Sequence, residues 1–218
     1  MDGPSGSGKS SASRGVARAL GLRYLDTGAT YRALTWWLLS RGVDTADAAA
    51  VAGHAGEPRI EVSTDPENPR TRVDGRDVTA QIRSREVSTA VSAVAAVPEV
   101  RARLVALQRG VIAGTGSGIV AEGRDIGTVV APDACLKVYL TAAGLARAAR
   151  HAGDQGTSVA ETEADQARRD GLDAAQSAKA ADAVEIDSTD LGLDEVVGLI
   201  ARLARERSGL SCVPETTR

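Results

Sequence analysis

The sequence predicts an α/β fold in which helices flank a parallel sheet, and three observations carry that prediction. The stretch Gly3-Pro4-Ser5-Gly6-Ser7-Gly8-Lys9-Ser10 fits the phosphate-loop pattern G-x-x-x-x-G-K-[ST] at every position. Short apolar runs alternate with helical patterns along the chain, the order of parallel strands joined by helical crossovers. Polar residues stand at the carboxyl ends of two of those runs, Asp26-Thr27 and Glu122-Gly123-Arg124-Asp125, where ligands of such sheets bind.

Taken in order, residues 11–20 read as a helix with Val16 and Leu20 on one face, stopped by Gly21. Residues 22–25 read as a strand, and 29–40 as a helix capped by Asp26-Thr27-Gly28 and carrying Tyr31, Arg32, Trp36 and Trp37. The texture changes over 56–83. Residues 59–63 alternate, 65–69 form a turn rich in Pro, and 71–73 meet 77–79 across Asp74-Gly75, a hairpin signal. A small antiparallel insertion fits better than an irregular loop of that length. From Ser84 the chain is helical, with Pro98 at the first position of a second helix. Strands follow at 118–121, 136–140 and 184–187, the second leading into a helix with Arg147 and Arg150 one turn apart. The charged segment 153–179 carries Arg168, Arg169, Asp170 and Asp173 on a helical stretch. Val196, Leu199, Ile200 and Leu203 form the apolar face of the last helix, and 208–218 read as a frayed tail. Residues 1–218 therefore read as one domain with an insertion.

Composition bounds the function. The chain has 218 residues, 43% hydrophobic and 25% charged, with a net charge of −3. That mild acidity argues against a broad nucleic-acid surface, so phosphates are expected to be met by individually placed arginines. There are 23 arginines against three lysines, Lys9, Lys137 and Lys179, a skew that a GC-rich genome also produces. Cys135 and Cys212 have no partner at metal-ligand spacing, which points to a reducing cytoplasm. No apolar run approaches the ~18 residues of a membrane span, and no signal-peptide pattern opens the chain. Phe is absent, so the core is expected to be aliphatic.

The loop's glycines let successive backbone N–H groups turn inward around a polyphosphate, and the following helix adds the positive end of its dipole. On this reading Gly3 to Ser11 hold ATP, Lys9 reaches its β and γ phosphates, and the Ser10 hydroxyl is a ligand of Mg²⁺.

The stretches MDGPSGSGKSS, YLDTGATYRAL, SAVAAVPEVRARL, VAEGRDIGTVVAPDA, LKVYLTA, RRDGLD and DAVEIDSTDL, in this order and spacing, resemble the bacterial cytidylate kinase family of nucleoside monophosphate kinases. The resemblance runs from residue 1 to about 205. It implies a P-loop kinase with a parallel sheet flanked by helices, a small antiparallel insertion in the monophosphate-binding region and a helical lid. It also implies phosphoryl transfer from ATP to CMP or dCMP in a cytoplasmic monomer.

Carried over by position, Lys9, Arg124 and Arg169 are the implied catalytic residues, Arg169 as a lid arginine. Arg32 and Arg124 match the arginines that hold the acceptor phosphate, a task suited to the guanidinium fork. Ser92, Arg101 and Asp125 match the residues that read the cytosine edge. Asp26 and Thr27 stand beside the acceptor, and Asp173 matches an acidic residue facing the sugar hydroxyls. Glu122 matches an acidic residue that steadies Mg²⁺ or its water, and a structural partnership with Arg124 stands beside that reading. Without the resemblance, Arg32 fits a solvated helix face, Arg101 and Arg103 fit surface positions, and Asp125 fits a turn cap. Trp36 and Trp37 point about 100° apart, so one belongs to the core. His54 and His151 read as surface residues.

Two departures qualify the resemblance. The family reads R-D-x-x-D-S-x-R at the lid, whereas Gln176 stands where the second arginine belongs and the stretch after it is shortened. Gln brings no charge to the moving phosphoryl group, and Arg147, Arg150 and Arg168 are the candidates to replace it. Only Met1 and Asp2 precede the loop, so the strand that leads into it is expected upstream. Two alternatives accompany the leading function: a paralogue acting on a modified cytidylate or another small phosphate metabolite, and a nucleotide-binding protein with little turnover.

Overall fold

The computed structural model describes residues 1–114, 117–148, 158–174 and 177–208. In chain order these form α1 (Lys9–Leu20), β1 (Arg23–Asp26), α2 (Thr27–Ser40), α3 (Ala48–His54), β2 (Ile60–Val62), β3 (Thr71–Val73) and β4 (Arg76–Asp77). A 3-10 turn (Gln81–Arg83), α4 (Arg85–Ala95), α5 (Pro98–Ala113), β5 (Ile119–Glu122), a π-helical turn (Ile126–Val130) and β6 (Val138–Thr141) follow. The described chain ends with α6 (Val159–Asp173), β7 (Val184–Asp187) and α7 (Leu193–Ser208).

The central sheet is parallel. β1 pairs with β5 in the register Arg23 to Ile119, and β6 pairs with β7 in the register Val138 to Val184. Met1 and Asp2 join the two pairs. Met1 N donates to Ala121 O at 2.7 Å and Gly123 N to Met1 O at 3.0 Å, while Asp2 N donates to Val138 O and Leu140 N to Asp2 O, both at 2.8 Å. The two residues before the loop thus take the central position of the sheet and aim the loop at its carboxyl edge.

Local chemistry sets the element ends. Gly21, at φ 62°, donates to Ala17 O and Arg18 O and closes α1. The Asp26 carboxylate accepts from Ala29 N and caps α2, and Ser84 accepts from Val87 N and caps α4. α1 begins at Lys9, two residues earlier than the sequence predicts, because the end of the loop is already wound into the first turn. β1 and β5 each lie one residue later than predicted, which carries Asp26 and Glu122 into the ladder as partners.

β2, β3 and β4 form a separate antiparallel sheet. Its second hairpin strand is residues 76–77, not 77–79, because Asp74 and Gly75 alone make the turn and set Val73 opposite Arg76. Both turn residues have positive φ, 51° and 79°, as a type I′ turn requires.

One core lies between α2, α5 and the small sheet, and another between α1, α7, β6 and β7. Both are mainly aliphatic, but Tyr24, Tyr31 and Trp37 are buried as well. Trp37 is the core tryptophan, its Nε1 donating to Asp74 Oδ2 at 3.0 Å, while the half-buried Trp36 lies under the Arg76 guanidinium. Among the described residues no helix is long and apolar enough to cross a membrane.

Candidate active site

The phosphate loop runs from the sheet into α1. Gly3 is there for a steric reason: a Cβ would stand 2.1 Å from the Leu140 carbonyl oxygen of the neighbouring strand. No side chain caps the start of α1 at Gly8, and no acidic residue lies in its first turn. Its leading N–H groups and dipole therefore face the cavity, an arrangement that attracts anions. Lys9 Nζ donates to Pro4 O at 2.6 Å. Burial, followed by the nearby Arg124 charge, lowers the Lys9 pKa to about 8, against opposing pulls from Glu122, Asp170 and Asp2.

A cavity of about 700 Å³ opens in front of the loop. Ser5 to Ser11 line it from the loop side, whereas Gly3 and Pro4 do not line it. Asp26, Thr27, Arg32, Ser92, Arg101, Arg124, Asp125 and Asp173 all line the same cavity. Six elements (α1, β1, α2, α4, α5 and α6) with the phosphate loop and the turn after β5, far apart in the chain, thus bring these residues to one site.

Most of these side chains are held. Thr27 Oγ1 donates to Glu122 O at 2.6 Å, and Arg32 Nη1 donates to Ser88 Oγ at 2.8 Å and Ile82 O at 3.3 Å. Arg32 is half-buried, not a solvated face. Arg101 is likewise withdrawn from the surface and pairs with the Asp125 carboxylate. Asp125 precedes the π-helical turn without capping it, so its side chain is given to Arg101. Arg103 is no surface arginine either, since it binds Ala55 O and Pro58 O. His54 pairs with Glu57 at 2.7 Å outside the cavity.

Arg124 reaches three partners: Gly3 O at 3.3 Å, Asp170 Oδ1 at 3.3 Å and Asp173 Oδ2 at 2.9 Å. Glu122 is not among them. Its buried carboxylate accepts from the Tyr24 hydroxyl at 2.5 Å and is hydrogen-bonded to Ser10, which removes the reading of Glu122 as the structural partner of Arg124. Burial, then the neighbouring Asp26 charge, raises the Glu122 pKa, and Lys9, Tyr24 and Ser10 oppose that shift.

Arg169 belongs to α6, but its side chain lies outside the described residues, as do Gln176, Arg150 and His151. Arg147 is described and sits at the loop, donating to Ser5 O at 2.6 Å and to Asp170 Oδ2 at 2.6 Å.

The structure adds residues that sequence reasoning passed over. The buried Asp2 carboxylate accepts from Ile126 N and Gly127 N, both at 2.8 Å, and so anchors the turn that carries Arg124 and Asp125. Arg83 lines the cavity and pairs with Asp26 at 2.5 Å. Ser188, Leu191, Gly192 and Leu193 line it as well. These last follow β7, and the rule that ligands lie beyond strand carboxyl ends could have found them.

A phosphate loop at the carboxyl edge of a parallel sheet, facing a second compartment lined by arginines, defines a P-loop kinase. Within that class, the family model for cytidylate kinase matches residues 1–206. A cytidylate kinase of Streptomyces avermitilis is 52% identical over 212 residues, covering 95% of this chain and 92% of that protein. One of Streptomyces coelicolor is 53% identical with the same coverage, and one of Rhodococcus opacus is 48% identical, covering 96% of this chain and 95% of the relative. The chain belongs to the cytidylate kinase family.

Proposed function

We propose that this chain transfers the γ-phosphoryl group of ATP to CMP or dCMP, releasing ADP and the pyrimidine diphosphate. The observation that carries this reading is that one cavity holds both the phosphate loop and the Arg32, Ser92, Arg101, Arg124 and Asp125 set. Its volume falls within the range of small-ligand sites. The cytidylate kinase relatives, about half identical over nearly the whole chain, support the same activity.

Phosphoryl transfer asks the protein for alignment and charge neutralisation, since an oxygen of the acceptor phosphate is itself the nucleophile. The loop amides and Lys9 hold the donor phosphates. Arg32 and Arg124 hold the acceptor phosphate at the loop, while Arg101, Asp125 and Ser92 read the base. That last set suits cytosine, whose exocyclic amine donates to a carboxylate and whose carbonyl and ring nitrogen accept from Arg. Asp173 faces the sugar, with Thr27 and Asp26 beside the acceptor. Ser188 to Leu193 form the end of the cavity where the donor's base is received.

Ser10 and Glu122 fit a magnesium ion. Their hydrogen-bonded oxygens converge beside the loop, the hard donor set that Mg²⁺ takes. When bound, the ion neutralises charge on the donor phosphates.

Residues 56–83 act as an insertion of the monophosphate-binding region and 153–179 as the lid. Support for the lid comes from Asp170 and Asp173 on α6, which reach Ser5 and Arg124. The same reading includes a cytoplasmic monomer, consistent with the exposed, unpaired thiol of Cys135. Sedimentation at micromolar concentration checks the monomer.

The decisive measurement is ADP release by purified protein with ATP and Mg²⁺. Release is expected only with CMP or dCMP, and Arg124→Ala is expected to lower kcat/KM by about 10²–10³-fold. An acceptor screen in which another phosphate ester is preferred assigns the paralogue activity instead, and nucleotide binding without ADP release assigns a binding protein.

A further inference from the structure

We infer that Asp170 sets the nucleotide affinity of this site: its carboxylate takes a loop amide and two guanidinium groups that a polyphosphate would use, so nucleotide must displace it to bind. The inference rests on the reading of the loop as the donor-phosphate site.

Three contacts carry it. Asp170 Oδ1 accepts from Ser5 N at 2.9 Å and from Arg124 Nη1 at 3.3 Å, and Oδ2 accepts from Arg147 Nη1 at 2.6 Å. A backbone N–H in a glycine-rich loop together with two arginines is the donor set of phosphate recognition. Here one side chain from α6 supplies the anion. Burial pushes the Asp170 pKa up, but the Ser5 amide, Arg147 and Arg124 outweigh it and hold the carboxylate below its ordinary value. It is therefore ionised at neutral pH, as a stand-in for phosphate must be.

The seam between α6 and the loop also has more hydrogen-bonding capacity than its own partners use. Gln166, one turn before Asp170, is 3% exposed and packs on Gly6, so close that a Cβ there would stand 2.3 Å from its Nε2. That Nε2 donates to Arg147 O at 3.4 Å. Gln166 Oε1 and Arg147 Nε, both at this seam, are buried with no hydrogen-bond partner among the described residues. A permanent structural contact satisfies its polar atoms. This one leaves them unsatisfied around an anion position, which favours an exchangeable contact.

A state that must be opened before ligand binds reduces apparent affinity by the fraction that is competent. Asp170→Asn is therefore expected to bind inorganic tripolyphosphate about tenfold more tightly than the full-length wild-type chain by titration calorimetry. Glu163→Gln removes an exposed charge from the same helix without touching the loop and is expected to leave the affinity unchanged. In the wild type, tripolyphosphate is expected to speed amide hydrogen exchange along α6 as the carboxylate leaves the loop. That measurement decides the matter even if Asp170→Asn does not fold. Equal or weaker binding by Asp170→Asn, an equal gain in Glu163→Gln, or α6 exchange that slows or does not change overturns the inference. Because the probe carries no base and nothing turns over, these outcomes leave the CMP reading untouched. Conversely, absent ADP release with CMP leaves the displacement of Asp170 standing.

Discussion

Arg101 and Asp125 stand 24 residues apart in the chain, yet they form a pair with side chains only 22% and 9% exposed. On the proposed reading this pair meets the base edge, with each group already holding the other in place. Removing Arg101 leaves the buried Asp125 carboxylate without this partner. Arg101→Ala is thus expected to raise KM for CMP roughly 10–100-fold, with KM for ATP nearly unchanged; steady-state kinetics with each substrate varied checks the split. A matching rise in KM for ATP would place Arg101 in the donor half instead. Lys9 and Ser10 were legible because their chemistry is written into eight contiguous residues. Asp2 and Arg83 were not. Asp2 meets Ile126 across 124 residues and Arg83 meets Asp26 across 57, and no periodicity or spacing rule connects such positions.

The small antiparallel sheet depends on one turn residue. Asp74 sits at positive φ, and its two carboxylate oxygens accept from Trp37 Nε1 at 3.0 Å and from Arg59 N at 2.8 Å. It therefore ties the hairpin both to α2 and to the strand beginning at Ile60. Asp74→Ala is expected to cost about 2 kcal/mol and to change the near-ultraviolet tryptophan signal, measured by denaturant unfolding and circular dichroism. The helix α6 behaves differently because charge docks it. The folded-state pKa of Asp170 is lowered from 3.8, so its contribution is complete above that value and is lost as pH falls through the lower one. Hydrogen exchange of α6, corrected for intrinsic rate, is accordingly expected to be constant from about pH 8 to 5 and to accelerate only in stronger acid. A transition near neutrality would mean that another group controls the docking.

For the molecule as a whole, the phosphate loop and the arginine set line one cavity, and the cores on either side of it belong to different parts of the chain. Ligands that bind only the folded chain stabilise it by mass action. CMP at 100 times its Kd is expected to add about 2.7 kcal/mol, which raises Tm by roughly 5–11 °C for a chain of this size; differential scanning calorimetry measures it. Uridine monophosphate, whose base presents a carbonyl where cytosine presents an amine, is expected to give a much smaller shift.

Order along the chain was enough for the α/β class, the phosphate loop, the cap at Asp26 and the Asp74-Gly75 turn, because each depends on neighbours within a few residues. Such signals survive without knowledge of what packs where. The pairing of Asp170 with Ser5 spans 165 residues and exists only because the sheet, α6 and the loop meet at one edge. The partners of Glu122 were equally beyond reach, since Tyr24 approaches it only when β1 and β5 lie side by side. Tertiary structure alone decided those contacts, for the reason that a side chain's charge is visible in a sequence while the group that answers it is fixed by folding.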